Sequence, residues 1–121
     1  MRIIFYLLIS ISLLSCASAR PGPEAFVSAE RGIQAAQRVG AEELAPVELQ
    51  FAIEKLASAR LGVEKSKYDV AMYLIEESEI NSELAIEKSR AAKSRRKVNE
   101  LRRANELMKE EMEANYGEWF E

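Results

Sequence analysis

One thiol stands in the whole chain, Cys16, and the residues before it decide what chemistry it can do. Met1-Arg2 is a short positive start, Ile3 to Leu14 an almost unbroken apolar run, and Leu13-Leu14-Ser15-Cys16 its end. That order is the order of a secretory signal with a small residue at the cut. A cysteine directly after the cut looks like a bacterial lipobox, in which the thiol sulfur accepts a lipid and Cys16 becomes the first residue. The apolar run, about 12 residues, is short of the roughly 20 that span a bilayer as a helix. It reads as the core of a signal peptide over 1–15 and not as a transmembrane segment. The alternative is an ordinary secretory signal cut within Ala17-Ser18-Ala19, which discards Cys16; Leu14 is bulkier than the residue often found there. Ala17, in place of an aspartate after the cysteine, favours the periplasmic face of the outer membrane in a diderm envelope, and otherwise the cell membrane.

Other reactive constellations are missing from the sequence. Histidine is absent, lipidation of Cys16 leaves no thiol for disulfides or metals, and no glycine-rich phosphate loop is present. A hydrolytic site needs a base, a nucleophile and an orienting shell, and glutamates on helix surfaces do not supply one. The chain is therefore expected to be no enzyme, with no cofactor, metal or small-molecule substrate. Cleavage before Cys16 leaves 106 residues, one domain at most, with a net charge near −4 because Arg2 leaves with the signal. That acidic balance argues against bulk nucleic-acid binding.

Glu, Lys, Arg, Ala and Leu dominate the rest, the composition of long helices. Residues 16–22 form a lipid attachment and tether that ends in Pro21-Gly22. Pro23 suits the first turn of a helix, where a missing N–H costs nothing. This first helix is expected to run to Val39 with Phe26, Ala29, Ile33 and Ala36 as its apolar row, and Gly40 stops it. The short connection 40–45 implies an antiparallel neighbour. Pro46 opens that neighbour, whose predicted buried face is Leu49, Ile53, Leu56, Ala59 and Val63. Residues 64–67 read as a turn with Ser66 as N-cap. A third helix then runs uninterrupted from about Lys67 to Asn115, roughly 70 Å against about 27 Å for its neighbour. Ala71, Ile75, Ser78, Ser82, Ala85, Ser89 and Ala92 make a small-residue stripe along its first part. The fold class is all-α, an antiparallel hairpin or three-helix arrangement with a long, overhanging C-terminal helix.

Gly40-Ala41, then Leu44-Ala45-Pro46-Val47-Glu48-Leu49, then Ala52, Lys55-Leu56 and Ala59, resemble domain-of-unknown-function family 4398. The resemblance spans about Ala25 to Lys93, so that 23–93 is a helical family-like domain and 94–121 an extended helix with an aromatic tail. It implies a short bacterial envelope lipoprotein and carries no established activity or site. Leu44 replaces the usual aromatic of that family, and Lys65-Ser66-Lys67 stands where a Gly-Asp turn is common.

Three features of the long helix are candidates for contact. A basic run comprises Lys88, Arg90, Lys93, Arg95, Arg96, Lys97, Arg102 and Arg103, and follows an acidic row of Glu76, Glu79, Glu83 and Glu87. It could meet phosphates of lipid or wall polymer, or an acidic partner; the plain alternative is a solvated basic face. Val98, Leu101, Asn105, Met108 and Met112 alternate spacings of three and four, as in a coiled-coil seam. That row could join a partner helix or a second copy, or could pack on the chain's own helices. Beyond Gly117, Trp119-Phe120 could anchor at an interface or in a groove, or dock on the chain itself. The expected partner contacts are Arg95, Arg96, Arg102 and Arg103 with the heptad-like row. The expected function is a non-catalytic, membrane-anchored envelope adaptor or structural arm. The alternatives are a regulatory subunit of an envelope enzyme or transporter, or a self-assembling spacer that binds wall or lipid phosphates.

Overall fold

A computed structural model describes residues 19–117, and every element in it is helical. The leader 1–15, Cys16 and the Trp119-Phe120 pair lie outside the described residues. Four helices follow in order: α1 (Pro23–Arg38), α2 (Ala41–Leu44), α3 (Pro46–Glu64) and α4 (Tyr68–Tyr116). The all-α expectation and the long last helix both hold.

Proline and chain geometry set the breaks. Pro23 and Pro46 each occupy the first turn of their helix. Gly40 takes a left-handed φ of 78°, a conformation that costs glycine little. Four residues of the short connection 40–45 wind into α2. Pro46 then holds Ala45 at φ −150°, because a residue before proline is pushed out of the α region. This separates α2 from α3. Ser66 is not the N-cap of the last helix. It adopts φ 55°, its N–H donates to the Val63 carbonyl at 3.0 Å, and the Lys67 N–H donates to Gly62 at 2.9 Å. These two bonds are those of a Schellman motif closing α3. Ser66 is consumed by that stop, and Lys67 becomes the N-cap of α4 without a side-chain cap bond.

The body is three helices, with α3 antiparallel to both α1 and α4. Arg60 pairs with Glu30 and lies 5.3 Å above the Phe26 ring, tying α3 to α1. Lys55 to Glu77 and Lys88 to Glu48 tie α3 to α4 in reversed order. Gly32 lies against Ser82 and Gly40 near Lys93, so α1 and α4 run parallel.

Small residues let these helices approach closely. The stripe predicted on α4 is buried from Ala71 to Ser89, with Ala92 half-buried at its end. The α3 face differs from expectation: Leu49, Ala52, Leu56, Ala59 and Gly62 are buried, while Ile53 is 39% exposed and Val63 only half-buried. The smaller neighbours win because they face the α4 stripe. A Cβ on Gly62 would sit 3.2 Å from that of Ala71, and one on Gly32 would sit 3.1 Å from that of Ser82. At those places larger side chains would hold the helices apart. Polar members of the stripe are satisfied. The Ser78 hydroxyl donates across the interface to the Ala52 carbonyl at 2.7 Å, and Ser82 and Ser89 donate back along α4. Hydroxyls can therefore serve as core residues here without a desolvation penalty.

Candidate functional site

From Ala71 to Ala92 the inward face of α4 is given to packing. Beyond Ala92 every described residue is exposed, so about 24 residues, roughly 36 Å of helix, extend past the body. The heptad-like row lies wholly on this overhang: Val98 is 46% exposed, Leu101 52%, Met108 59% and Met112 58%, with Asn105 exposed between them. Packing of the row on the chain's own first helices is thereby excluded among the described residues. Asn105, Met108, Met112 and Tyr116 share one open groove along the helix, and Arg95, Val98 and Arg102 share another.

The basic run divides into two sets. Lys88 pairs with Glu48, Arg90 with Glu87, Arg96 with Glu43 at 3.0 Å, and Lys97 with Glu100 at 3.8 Å. Lys93, Arg95, Arg102 and Arg103 form no ion pair among the described residues. The structure thus brings Arg96 to the α2 corner and leaves Arg95, Arg102 and Arg103 on the free shaft. Of the acidic row, Glu76, Glu79 and Glu83 line an open groove between α1 and α4, with Gly32 and Ser82 in its wall. Among the described residues no acidic, histidine or cysteine group is arranged to hold a metal.

One charged cluster has perturbed titration. Glu77 accepts from both Lys55 and the Tyr73 hydroxyl, the latter at 2.8 Å. The Lys55 bond, then the Tyr73 bond, hold the Glu77 carboxyl below its ordinary value of 4.5, and the Lys88 bond does the same for Glu48. The Glu77 bond raises Lys55 above its ordinary 10.5. The carboxylate pairs therefore stabilise the fold above pH 4.5, and their contribution is lost as pH falls through the lowered values. That of Lys55 is present below 10.5 and lost as pH rises through its raised value. The Glu48 side chain is 13% exposed, Glu77 26% and Lys55 36%, so water still reaches these pairs and screening keeps the effect modest. Thermal melts followed by circular dichroism should fall in midpoint on acidification below pH 4.5. Replacing Glu48 and Glu77 by glutamine together should flatten that decline, whereas an unchanged acid slope would refute the assignment.

Gly32 and Gly62 are the positions that sequence reasoning passed over. Each sits inside a helix, where glycine costs about 1 kcal/mol relative to alanine, and that cost was the available sign of close helix approach. No described helix is long and apolar enough to cross a membrane. The family model described as "Domain of unknown function (DUF4398)" matches residues 24–101, which covers the three-helix body and the base of the overhang. No curated protein and no solved structure matches the chain.

Proposed function

The chain belongs to the DUF4398 family, and from that premise we propose that it is a lipid-anchored envelope arm acting by contact rather than chemistry. Cys16 carries the lipid in this reading, on the periplasmic face of the outer membrane if the envelope is diderm. The three-helix body supports α4, and the overhang meets its partner. One observation carries the proposal: beyond Ala92 α4 continues as unbroken helix to Tyr116 with an apolar row that the body does not cover. Direction supports it as well. Residues 19–22 lie beside Tyr68 and Asp69, so the exposed tip is at the far end of α4, roughly 70 Å from the tether.

A second reading gives Arg95, Arg102 and Arg103 to lipid or wall phosphates. Their lack of ion pairs among the described residues favours it, while the engagement of Lys88, Arg90, Arg96 and Lys97 by carboxylates weighs against a phosphate-binding run. In-cell photocrosslinking separates the arm from an inert spacer. A photoreactive residue at Asn105 should give a discrete protein adduct, and one at Ser58 on the outer face of α3 should not. No adduct from Asn105 in cells where the protein is membrane-bound would overturn the arm reading.

A further inference from the structure

We infer that the overhang of α4 pairs antiparallel with the overhang of a second copy of this chain, about a two-fold axis near Ala104. This deepens the arm reading and rests on it only for the overhang's role as the contact surface. The argument begins with charge order. The base of the overhang carries Lys93, Arg95, Arg96, Lys97, Arg102 and Arg103 against Glu100, and the tip carries Glu106, Glu110, Glu111 and Glu113 against Lys109. A parallel, in-register pair would set each of these blocks against its own kind. Reversal sets base against tip.

The match extends to single residues. Arg95 and Glu113 lie equally far from Ala104 on opposite sides, as do Lys97 and Glu111, and Arg102 and Glu106. Helical periodicity puts Arg95, Arg102, Glu106 and Glu113 along one flank of the apolar row, and Lys97 and Glu111 along the other. In an antiparallel pair each flank meets itself reversed, so all three couples form twice. The remaining charges come level with neutral residues along the axis: Lys93 with Asn115, Arg96 with Met112, Arg103 with Asn105, Lys109 with Asn99, Glu100 with Met108, and Glu110 with Val98; Arg96, Arg103 and Glu110 point away from the apolar row. Arg95, Arg102, Glu106 and Glu111 form no ion pair among the described residues, which leaves them available. Lys97 and Glu113 hold only loose in-helix partners, at 3.8 and 3.6 Å.

The apolar row and the overhang's length agree with the same axis. About that axis Val98 falls between Met108 and Met112 of the second copy and Leu101 between its Asn105 and Met108, and the two Asn105 amides come within about 3 Å along the axis, where they can pair with each other. Residues 93–116 form the overhang, and their midpoint falls between Ala104 and Asn105. Full overlap therefore ends with each tip against the other copy's body. Such a pair carries its two Ala19 ends in opposite directions, roughly 100 Å apart, suited to bridging two surfaces.

The test uses the full-length chain with Cys16→Ser in detergent micelles, carrying either Val98→Cys or Met112→Cys. Positions 98 and 98 lie about 18 Å apart along the axis of an antiparallel pair but side by side in a parallel one. A short thiol crosslinker should join Val98→Cys to Met112→Cys in the mixture and leave Val98→Cys alone monomeric. Dominant Val98→Cys homodimer, or no product in any combination, would overturn the proposal. Arg95, Lys97 and Arg102 changed together to Glu should lose the product about tenfold, as should Glu106, Glu111 and Glu113 changed together to Lys, in line with reversed charge pairing. Mixing the two charge variants should restore it, with helicity unchanged throughout. Product equal to the parent's from either charge variant alone would sink the register. A foreign protein captured at Asn105 in cells, with no Val98–Met112 product, would overturn self-pairing and leave the arm reading intact. The Val98–Met112 product from a chain that is never membrane-bound in cells would support self-pairing while removing the anchored arm.

Discussion

Ser78→Leu should destabilise the three-helix body by about 3 kcal/mol, a large share of what a unit of this size holds. Ser78 is fully buried in the middle of the α4 stripe, and its hydroxyl reaches the Ala52 carbonyl of α3 at 2.7 Å. Two effects add. The leucine has no space between helices so close that a Cβ added at Gly62 or Gly32 would meet that of Ala71 or Ser82 at 3.2 or 3.1 Å, so α3 or α1 must move away. Overpacking of that kind costs roughly 1–3 kcal/mol, and loss of the interhelical hydrogen bond adds about 1 kcal/mol. Ser78→Ala separates the two, because it removes the bond and keeps the space, and it should cost only about 1 kcal/mol. Urea titrations followed by circular dichroism would measure both. A leucine variant within 1 kcal/mol of the alanine variant would mean that close approach does not hold the body together.

The legibility of this fold in its sequence follows the same physics. The α4 stripe was readable because seven small or β-branched residues recur at helical spacing over six turns, and only a packed face keeps that period so long. The α3 face was misread in part. Ile53 and Val63 are more apolar than Ala52 and Gly62, yet close helix approach rewards small volume over hydrophobicity, and hydropathy spacing alone does not carry that preference. Ser66 was misread for a related reason. Serine is a common N-cap, and the left-handed stop it makes here is a backbone event more typical of glycine or asparagine. The overhang followed from a length mismatch, which survives errors of two or three residues at any helix end. Its ion pairing did not follow, since Arg96 finds Glu43 only through the α2 corner, and the sequence around 40–45 reads only as a short connection. The candidate contact residues were thus legible as a surface, and the division of the basic run into engaged and free members was not.

Cys16→Ser should abolish acylation altogether and move the protein off the membrane, the largest single effect expected in cells. The thiol is the chain's one cysteine, so no other side chain of that chemistry can take its place. Among the described residues no helix is long and apolar enough to cross a bilayer. Membrane binding by one acyl chain is marginal, and stable anchoring needs a second chain or a basic patch. The body's net acidity supplies little of the latter, so in the proposed reading the anchored state depends on the lipid. Growth with an alkyne fatty acid should label the parent protein and not the serine variant. The membrane-bound fraction should drop at least about tenfold after high-salt washing, which strips electrostatic contacts but not inserted chains. The unchanged apolar leader gives the variant two fates: it stays as uncut precursor, or the ordinary peptidase cuts it within Ala17-Ser18-Ala19 and releases it. Mass spectrometry of the N-terminus distinguishes them. A parent protein that begins after Cys16, carries no acyl label and fractionates like the variant would overturn the lipid anchor. It would leave the three-helix body and its overhang as they stand, because neither draws on residues before Ala19.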